Sequence, residues 1–501
     1  MAKTAKQYLD DHKRLEEGRT MWKNHWQLAA EYVHQRRADF TISREPGAFI
    51  SSKLWTDDPT HMAETGASAF LGYVWGGGSK SFRLTPNQRL FAKDDEVARW
   101  FADATEDLQE EMDDQEAGFD AALDESTLDL FVLGTDAILM DERNKDMPHL
   151  GAFIFEPWSV LEFALDEDAA GKPVRFYRER EYTIGQLVSR YGIENVSKKS
   201  AEAFTKGKKD DKVRVVHAIE PRDDKDRKKG SKAAKDMPIA SVHIECEAKH
   251  ILLDSGYPEL PVACSRLSKR IKERYGRGRG MNALPSIMML NQIWEDLMLA
   301  EEKKLDPPMY ALHDAVVGNG IVDTSAGGLT ILRLDRAQPN TSPVGKLFDI
   351  EDTTHAMEII QSLKDSISNH FMIDRLINMN NDREMTAREA LLRNAIRQGA
   401  LRSVVSRVLM EKFEPLINRG FMILLRRGRF GYMPNSPEAE AAKLRGEEVK
   451  LIPEKIVQAM QSGKNLYSVE YLTQAARDLM AEEGQGMMET LQMAAELAKV
   501  D

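Results

Sequence analysis

The pattern of hydrophobic and polar positions predicts a mostly helical N-terminal third of the chain. Residues 4–37 carry large apolar side chains at a loose helical period, with charged residues between them. Asp58-Pro59-Thr60 is typical of a helix start, and the glycines at 76–78 are expected to end that helix. Further helices are predicted through the acid-rich segment that follows, up to Gly134.

From residue 137 to 267 the pattern changes to short apolar runs separated by turns, which is typical of strands. A short helix is predicted among them at 184–191, and the charged residues 223–235 are expected to form an exposed loop. This part of the chain therefore predicts an antiparallel sheet within an α+β fold. The strand candidates are AILMDE, AFIFEP, SVLEFALDE, VRFYRERE, VRVVHAIEP, ASVHIECEA, HILLDSG and PVACSRL.

Two amphipathic helices with a glycine-bearing excursion between them are the most informative feature. Residues 284–305 place apolar side chains three and four apart over a length of about 33 Å, and Pro307-Pro308 ends this helix. Residues 352–374 repeat the pattern on the way back. Two long helices joined by an inserted segment are typical of a structural element that spans a distance, so the pattern favours a structural role over an active site.

A longer helix is predicted after a polar, asparagine-rich break at 374–385. It begins at the capping box Thr386-Ala-Arg-Glu389 and runs toward Phe413 or beyond, ahead of Pro415. Its apolar face changes direction around Gly399. Either the helix is kinked at this glycine, or neighbouring subunits bury it on two sides. A charged linker and two amphipathic helices are predicted in the last segment.

Composition is that of an ordinary globular protein. The chain has 501 residues, of which 42% are hydrophobic and 30% charged, and this length suits roughly two to four domains. No apolar run reaches the length of about 18 residues that a membrane-spanning helix needs, and the N-terminus lacks the apolar centre of a signal peptide. Two cysteines, Cys246 and Cys264, cannot form a disulfide framework, which fits a reducing cytoplasm.

The net charge of −12 is concentrated in one segment. Residues 94–129 contain 15 acids and one base, whereas residues 388–429 contain ten bases and three acids. The acidic segment is interpreted as a solvated helix face, or alternatively as a surface that repels nucleic acid or meets a basic partner. The overall acidity argues against a protein that binds DNA by neutralising many phosphates.

Motifs for catalysis or cofactor binding are weak. Gly276-Arg-Gly-Arg-Gly280 superficially resembles a dinucleotide-binding turn, but no βαβ unit surrounds it and Pro285 follows closely. His243, Cys246 and His250 have a spacing that suggests zinc, but in a strand their side chains would point to both faces. The sequence has no P-loop, nucleophile elbow or His-Glu-x-x-His motif, so no metal, cofactor or catalytic residue is expected.

Several segments that are weak individually occur in one order along most of the chain. They are Trp100–Leu139, which ends in Phe131-Val-Leu-Gly-Thr-Asp-Ala-Ile-Leu139, then Tyr275-Gly-Arg-Gly through Leu284-Pro285 and Leu290-Asn291 to Pro307-Pro308, Phe371-Met372, Met385-Thr-Ala-Arg-Glu389, Glu414-Pro-Leu-Ile417, Val469-Glu-Tyr-Leu472 and Gln474-Ala-Ala-Arg477. In this order they resemble the portal, or head-to-tail connector, proteins of short-tailed, T7-like bacteriophages.

The resemblance implies an α+β, predominantly α-helical portal fold, assembled as a typically dodecameric ring of identical subunits. A cyclic ring has heterologous interfaces, which agrees with a helix that is apolar on two sides. The implied parts are a wing at 1–280, a stem helix at 281–306, a clip at 307–345, a returning stem helix at 346–374, a tunnel loop at 375–385, a long kinked helix of the wing at 386–435, and crown-like helices at 436–501.

The resemblance also implies a conduit for DNA packaging and ejection, located at the portal vertex of the virion after assembly in the host cytoplasm. Its implied partners are the major capsid protein, the scaffolding protein, the terminase large subunit, the tail adaptor and double-stranded DNA, which passes without sequence preference; no membrane is involved. On the tunnel loop, Asn378, Asn380, Asn381 and Arg383 would touch the passing DNA, although such a polar loop also fits a plain solvated turn.

Two other classes of protein compete with this interpretation. One is a different structural virion protein, such as a scaffold or internal core protein, which would also be helical and acidic. The other is a metal-dependent hydrolase or nuclease that uses acids between Asp94 and Asp129. Ring-shaped particles with a central hole would separate the portal interpretation from both.

Overall fold

The computed structural model describes residues 3–42, 44–45, 48, 54–76, 80–91, 94–143, 151–228, 231, 233–307, 309–311, 344–346, 354–376, 401–434, 437, 439–440 and 450–478. Four of the candidate site residues, Asn378, Asn380, Asn381 and Arg383, lie outside this set, as does Gly399. Their proposed roles stay predictions. Most of the implied clip and the end of the C-terminal segment also lie outside the described residues.

The N-terminal part is helical, as the pattern predicted. Its elements are α1 (Ala5–Glu17), α2 (Thr20–Val33), α3 (Asp58–Val74), the strand β1 (Phe82–Pro86) and the short α4 (Gln88–Phe91). The chain turns between α1 and α2 at Gly18, next to the buried Arg19, which donates to the carbonyl oxygens of Val160 and Phe163 at 2.6 Å each. This contact ties the first two helices to the sheets.

The acid-rich segment forms two helices, α5 (Asp95–Met112) and α6 (Phe119–Leu133). Asp94 caps α5, because its carboxylate accepts from the N–H groups of Glu96 and Val97. Most acids of the segment are exposed while the apolar side chains face the core, which agrees with a solvated helix face. Gly134 ends α6 as predicted, with a positive φ of 90°.

The middle of the chain contains all eight predicted strands, and α7 has the predicted bounds. The elements are β2 (Thr135–Glu142), β3 (Phe153–Trp158), β4 (Phe163–Glu167), β5 (Pro173–Thr183), α7 (Ile184–Tyr191), α8 (Lys198–Thr205), β6 (Lys212–Pro221), β7 (Ile239–Glu245), β8 (His250–Tyr257) and β9 (Val262–Arg266). They form two antiparallel sheets, with the strand orders β3-β2-β9 and β4-β5-β6-β7-β8. The helix α8 was not predicted.

The last part of the chain returns to helices. Its elements are α9 (Arg279–Leu305), β10 (Met309–Ala311), β11 (Val344–Lys346), α10 (Thr354–His370), α11 (Ile373–Leu376), a helical segment at 401–408, a π-helical turn (Leu409–Phe413), α12 (Glu414–Arg427), α13 (Glu454–Gln461) and β12 (Tyr467–Tyr471). None of the described helices is long and apolar enough to cross a bilayer.

Two predictions for this last part differ from the structure. The helix does not end before Pro415, because the π-helical turn bonds the Glu414 N–H to the Leu409 carbonyl. Pro415 then occupies the start of α12, where its missing N–H costs little. The segment 436–501 was predicted to contain a charged linker and helices but no strand, whereas it includes β12, which pairs with β1. The alternation of large side chains at Tyr467, Val469 and Tyr471 is the strand pattern that was missed.

One large core joins the N-terminal helices, the three-stranded sheet and α9, α10 and α12. A smaller cluster lies between α1 and one face of the five-stranded sheet. The described residues therefore form an α+β fold in which helix is the larger part, as predicted.

Candidate functional site: a helix pair and its anchor

The two long helices that the sequence predicted pack side by side, and the chain between them begins and ends as a β-pair. The first, α9, has 27 residues and is therefore about 40 Å long. At its far end, Met309 of β10 pairs with Lys346 of β11. The helix begins earlier than predicted, so Pro285 lies in its second turn instead of its first.

The helix pair also carries large apolar side chains on a surface that its own chain leaves exposed. Leu290 of α9 and Ile367 of α10 are buried within the chain. Other large apolar side chains of the pair point to solvent, with exposures from 37% at Ile359 to 86% at Leu305. So many exposed large apolar side chains on two neighbouring helices make the pair a candidate contact surface. We call the following residues the exposed apolar set: Met288, Met289, Met298, Leu299, Leu305, Met357 and Ile359.

Polar contacts hold the helix pair against α3 and the segment before it. The Lys364 ammonium of α10 lies 2.9 Å from Asp58 Oδ2 and 5.6 Å from the centre of the Trp294 ring on α9. The Trp55 N–H donates to Asn291 Oδ1 at 2.8 Å. Burial opposes the charge of Asp58, but bonds from Thr56 and Lys364 outweigh it and lower its pKa.

The glycine motif at the root of α9 has a steric function. Added Cβ atoms at Gly276 and Gly278 would lie 2.2 Å from the carbonyl oxygen of Gly134 and 2.1 Å from that of Val132. No side chain fits at either position, so the glycines allow the backbone to cross the end of α6. This close crossing, and not a nucleotide, accounts for the spacing of the motif.

The returning chain attaches beside the same crossing, through the π-helical turn. Glu411 accepts from the guanidinium of the buried Arg266 at 2.6 Å, and also from the Arg266 N–H at 3.0 Å. The next residue, Lys412, lies with its ammonium 2.6 Å from Asp136 Oδ2 and 2.8 Å from the Ser126 hydroxyl. The turn is therefore fixed by two consecutive charged side chains.

Both ends of the long excursion are thus held at one place in the body. The Gly276 N–H donates to Thr135 Oγ1 at 2.8 Å, and the next residue, Asp136, binds Lys412. We call the three segments Gly134–Asp136, Gly276–Gly280 and Leu409–Phe413 the anchor. The first two belong to segments that carry the resemblance, and the third directly precedes Glu414-Pro-Leu-Ile417, so segments far apart in sequence meet in space.

The buried charges at the anchor have partners of opposite charge: Glu411 pairs with Arg266, and Lys412 pairs with Asp136. Burial opposes the charge of Arg266, but its bond to Glu411 and the charges of Glu411 and Glu167 outweigh this effect and raise its pKa. Burial raises the pKa of the neighbouring Cys264 well above its usual value, so this thiol is not an activated nucleophile. Sequence reasoning missed Asp136 and Lys412, because nothing in a strand or in a basic segment indicates that one particular charge is buried.

The three residues considered for zinc do not converge. His243 is buried, with Nδ1 2.9 Å from the Tyr191 hydroxyl, and Cys246 packs near the cluster beneath α1. His250 is exposed and contacts the carbonyl oxygen of Asn195 at 3.0 Å. Within the described part of the chain, no group of three or more His, Cys, Asp or Glu side chains has the geometry of a metal site.

Comparisons with known proteins support the resemblance. The family model for bacteriophage head to tail connecting protein matches residues 5–500. The chain is similar to a probable portal protein of Bordetella phage BPP-1, with 26% identity over 412 residues, which cover 80% of this chain and 71% of the relative. It is also similar to the portal protein of Salmonella phage epsilon15, with 22% identity over 461 residues, covering 87% and 77% of the two chains.

Proposed function

Since the chain belongs to the family of bacteriophage head to tail connecting proteins, we propose that it forms the portal ring of a phage capsid, through which double-stranded DNA is packaged and ejected. In this proposal α9 and α10 form the stem, the sheets and N-terminal helices form the wing, and residues 307–345 form the clip. The placement within the T7-like group stays a prediction.

The exposed apolar set is the observation that supports assembly. Its side chains lie on a helix pair whose other side is already packed against its own chain. A partner that covers this surface with a different surface of its own makes the heterologous contact from which cyclic rings are built. We propose that this partner is a second copy of the chain, repeated around an axis, and that the ring is dodecameric.

The negative net charge of the chain suits a channel through which a DNA duplex slides. Electrostatic affinity for DNA increases with the number of phosphates that are neutralised, so a sliding conduit requires few such contacts. The chain carries a net charge of −12. Acids such as Glu295, Asp296 and Glu302 on α9 fit a wall that does not hold the phosphate backbone. In this proposal the residues at 378–383 make the few direct contacts with DNA.

The partners follow from the same proposal. The clip would bind the terminase large subunit during packaging and the tail adaptor afterwards, while the wing would contact the major capsid protein and the scaffolding protein. The anchor supports this division of labour, because it fixes both ends of the excursion to the wing through buried contacts. Forces applied at the clip would thus be transmitted into the body of each subunit.

Imaging the purified full chain by negative-stain electron microscopy, together with its mass in solution, tests this proposal. We expect rings with a central hole. Met298→Glu combined with Leu305→Glu should shift the protein to small oligomers, because each change places a charge in a closely packed apolar contact. Met21→Glu is the matched control, since Met21 is 83% exposed on α2 and does not belong to the exposed apolar set. We expect the control to assemble normally.

Two results would contradict the proposal. A compact monomer at micromolar concentration would exclude a ring, and an extended or solid particle would favour a scaffold or internal core protein. If the control variant were as defective as the stem variant, the exposed apolar set would not be the contact surface.

A further inference from the structure

A polar cleft separates the two sheets. The face of the five-stranded sheet that does not contact α1 is turned toward β2 and β3, and the space between them has a volume of about 440 Å³. Ligand cavities in proteins commonly have volumes of about 300–1,000 Å³. The helix pair and the anchor are built from other segments, so the proposed conduit makes no use of this cleft.

The carboxylates that line the cleft already have partners. Glu156 Oε1 accepts from Arg178 Nη1 at 2.9 Å and from Arg180 Nη1 at 2.6 Å. Asp141 Oδ1 accepts from the backbone N–H of Glu142 at 2.8 Å and also interacts with the Tyr257 hydroxyl. The acceptors of the cleft are therefore largely satisfied within the chain.

His243, on the floor of the cleft, offers an unused donor. Burial and the nearby Arg190 lower the pKa of His243 to about 3, and burial raises the pKa of Tyr191 to about 12. Near neutral pH the imidazole is uncharged and the tyrosine keeps its proton. The 2.9 Å contact between the Tyr191 hydroxyl and Nδ1 fits a hydroxyl that donates to Nδ1, and in that tautomer the imidazole carries its single proton on Nε2. The ring is held in place by stacking on His217, with centroids 3.9 Å apart.

Arg190 at the rim of the cleft is the second unused donor group. Its guanidinium contacts the rings of Tyr182 and Tyr191 and donates a single long bond of 3.3 Å to the Tyr182 hydroxyl. Among the described residues, no carboxylate lies within ion-pair distance of it. A guanidinium has five N–H donors in a planar fork that matches carboxylate and phosphate groups.

The Arg190 guanidinium and the His243 imidazole thus have bonding capacity left, and the first is charged, whereas the Glu156 carboxylate is paired within the chain. The plain alternative is a water-filled gap between two sheets, which would show no preference for anions. We propose that the cleft binds a small molecule bearing a phosphate or carboxylate group, held by the Arg190 guanidinium and the Nε2–H of His243. The cavity has room for more than an inorganic ion, so the group would be carried by a nucleotide or a small organic acid.

Calorimetric titration of the full-length protein tests this site, with inorganic phosphate, dAMP and citrate as probes at constant ionic strength. We expect saturable binding of at least one probe. Arg190→Gln should weaken it at least tenfold. His243→Asn should weaken it several-fold, since asparagine keeps an acceptor near Nδ1 for Tyr191 but lacks the Nε2 donor. The control is Arg214→Gln, because Arg214 lies on the opposite face of the same sheet, 3.2 Å from Glu179, and should bind as the wild type does.

The probes also identify the ligand class. Tighter binding of dAMP than of phosphate assigns the site to nucleotide phosphates, and tighter binding of citrate assigns it to organic acids. Absence of saturation with all three probes would overturn the proposal. Equal weakening by Arg214→Gln would do so too, because it would show diffuse attraction of anions to the surface. Thermal melting of each variant confirms that it is folded, and none of these readouts depends on ring formation.

Discussion

The Lys412 ammonium lies 2.6 Å from Asp136 Oδ2, and the two side chains are only 1% and 0% exposed. This ion pair joins the π-helical turn, where the excursion returns, to the strand that begins directly after the crossing with the root of α9. Taking two charges out of water costs several kcal/mol per ion, and only close pairing with further hydrogen bonds offsets that cost. The Lys412 ammonium also donates to the Ser126 hydroxyl, and the Ser265 hydroxyl donates to Asp136. These hydrogen bonds help to compensate for the lost hydration of the two charges.

Removing one partner of this pair should be severe. Lys412→Met leaves Asp136 buried without a counter-charge, and we expect a loss of about 3–5 kcal/mol in the free energy of unfolding. The double variant Lys412→Met, Asp136→Leu removes both charges and should recover most of that loss. Chemical denaturation of the two variants and the wild type measures both values.

A matched surface pair gives the control for this experiment. Lys80 and Glu106 are 3.0 Å apart but more than 60% exposed, so Lys80→Met should change stability by less than about 1 kcal/mol. If the double variant were no more stable than Lys412→Met alone, the pair would contribute through shape and specific bonds, and the argument from an unpaired buried charge would be wrong.

The predictions from sequence were most accurate where a local pattern determines the outcome. Short apolar runs separated by turns located all eight strands of the two sheets, and the helical period located α9 and α10, because burial within the chain imposes these patterns. The anchor could not be predicted in this way. Gly278 must be a glycine because the Val132 carbonyl oxygen lies so close to it, and Lys412 is buried because it pairs with Asp136. Both partners are distant in sequence, so no local pattern reveals them. The missed β12 likewise depends on pairing with β1, although its own alternation was visible.

Substitution at the backbone crossing should show that its glycines are required. Gly278→Ala places a Cβ about 2.1 Å from the Val132 carbonyl oxygen, so the root of α9 must shift, and we expect a loss of more than about 3 kcal/mol or failure to fold. Gly72→Ala is the control. Gly72 lies within α3 and an added Cβ would meet nothing within 4 Å, so this change should stabilise the protein by roughly 0.4–1 kcal/mol. Thermal melting compares the two, and a stable Gly278→Ala protein would show that the crossing is looser than described.

Acid should weaken the contact between α6 and the residues that directly follow α2. Asp129 is buried, and Oδ1 lies 3.1 Å from both His34 Nε2 and Arg37 Nε. Burial alone would raise the pKa of Asp129, but the bond from His34 and the charge of Arg37 outweigh it and lower the pKa. A lowered carboxylate pKa in the folded state adds stability above the pKa of the unfolded chain, and this stability is lost as pH falls through the folded value.

The stability of the variant Asp129→Asn, measured as a function of pH, tests this expected loss of stability in acid. Asp129→Asn should be clearly less stable than the wild type at pH 7, and the difference should shrink below about pH 4 as the wild-type carboxylate is protonated. Urea unfolding at a series of pH values measures this difference. The exposed Asp120 provides the control, since Asp120→Asn should give curves parallel to those of the wild type. A constant difference between Asp129→Asn and the wild type from pH 7 to pH 3 would contradict the assigned role.

Truncation within the C-terminal segment should destabilise the body of the protein. Tyr467 of β12 packs against Phe421 with ring centroids 4.7 Å apart, and Tyr471 pairs with Phe82 of β1. A chain that ends after Gly463 loses this strand and uncovers Phe82 and Phe101, so we expect a melting temperature lower by several degrees or more. A chain that ends after Asp478 keeps β12 and should melt close to the full-length protein. Equal melting of the two truncated chains would mean that β12 adds nothing to the stability of the body.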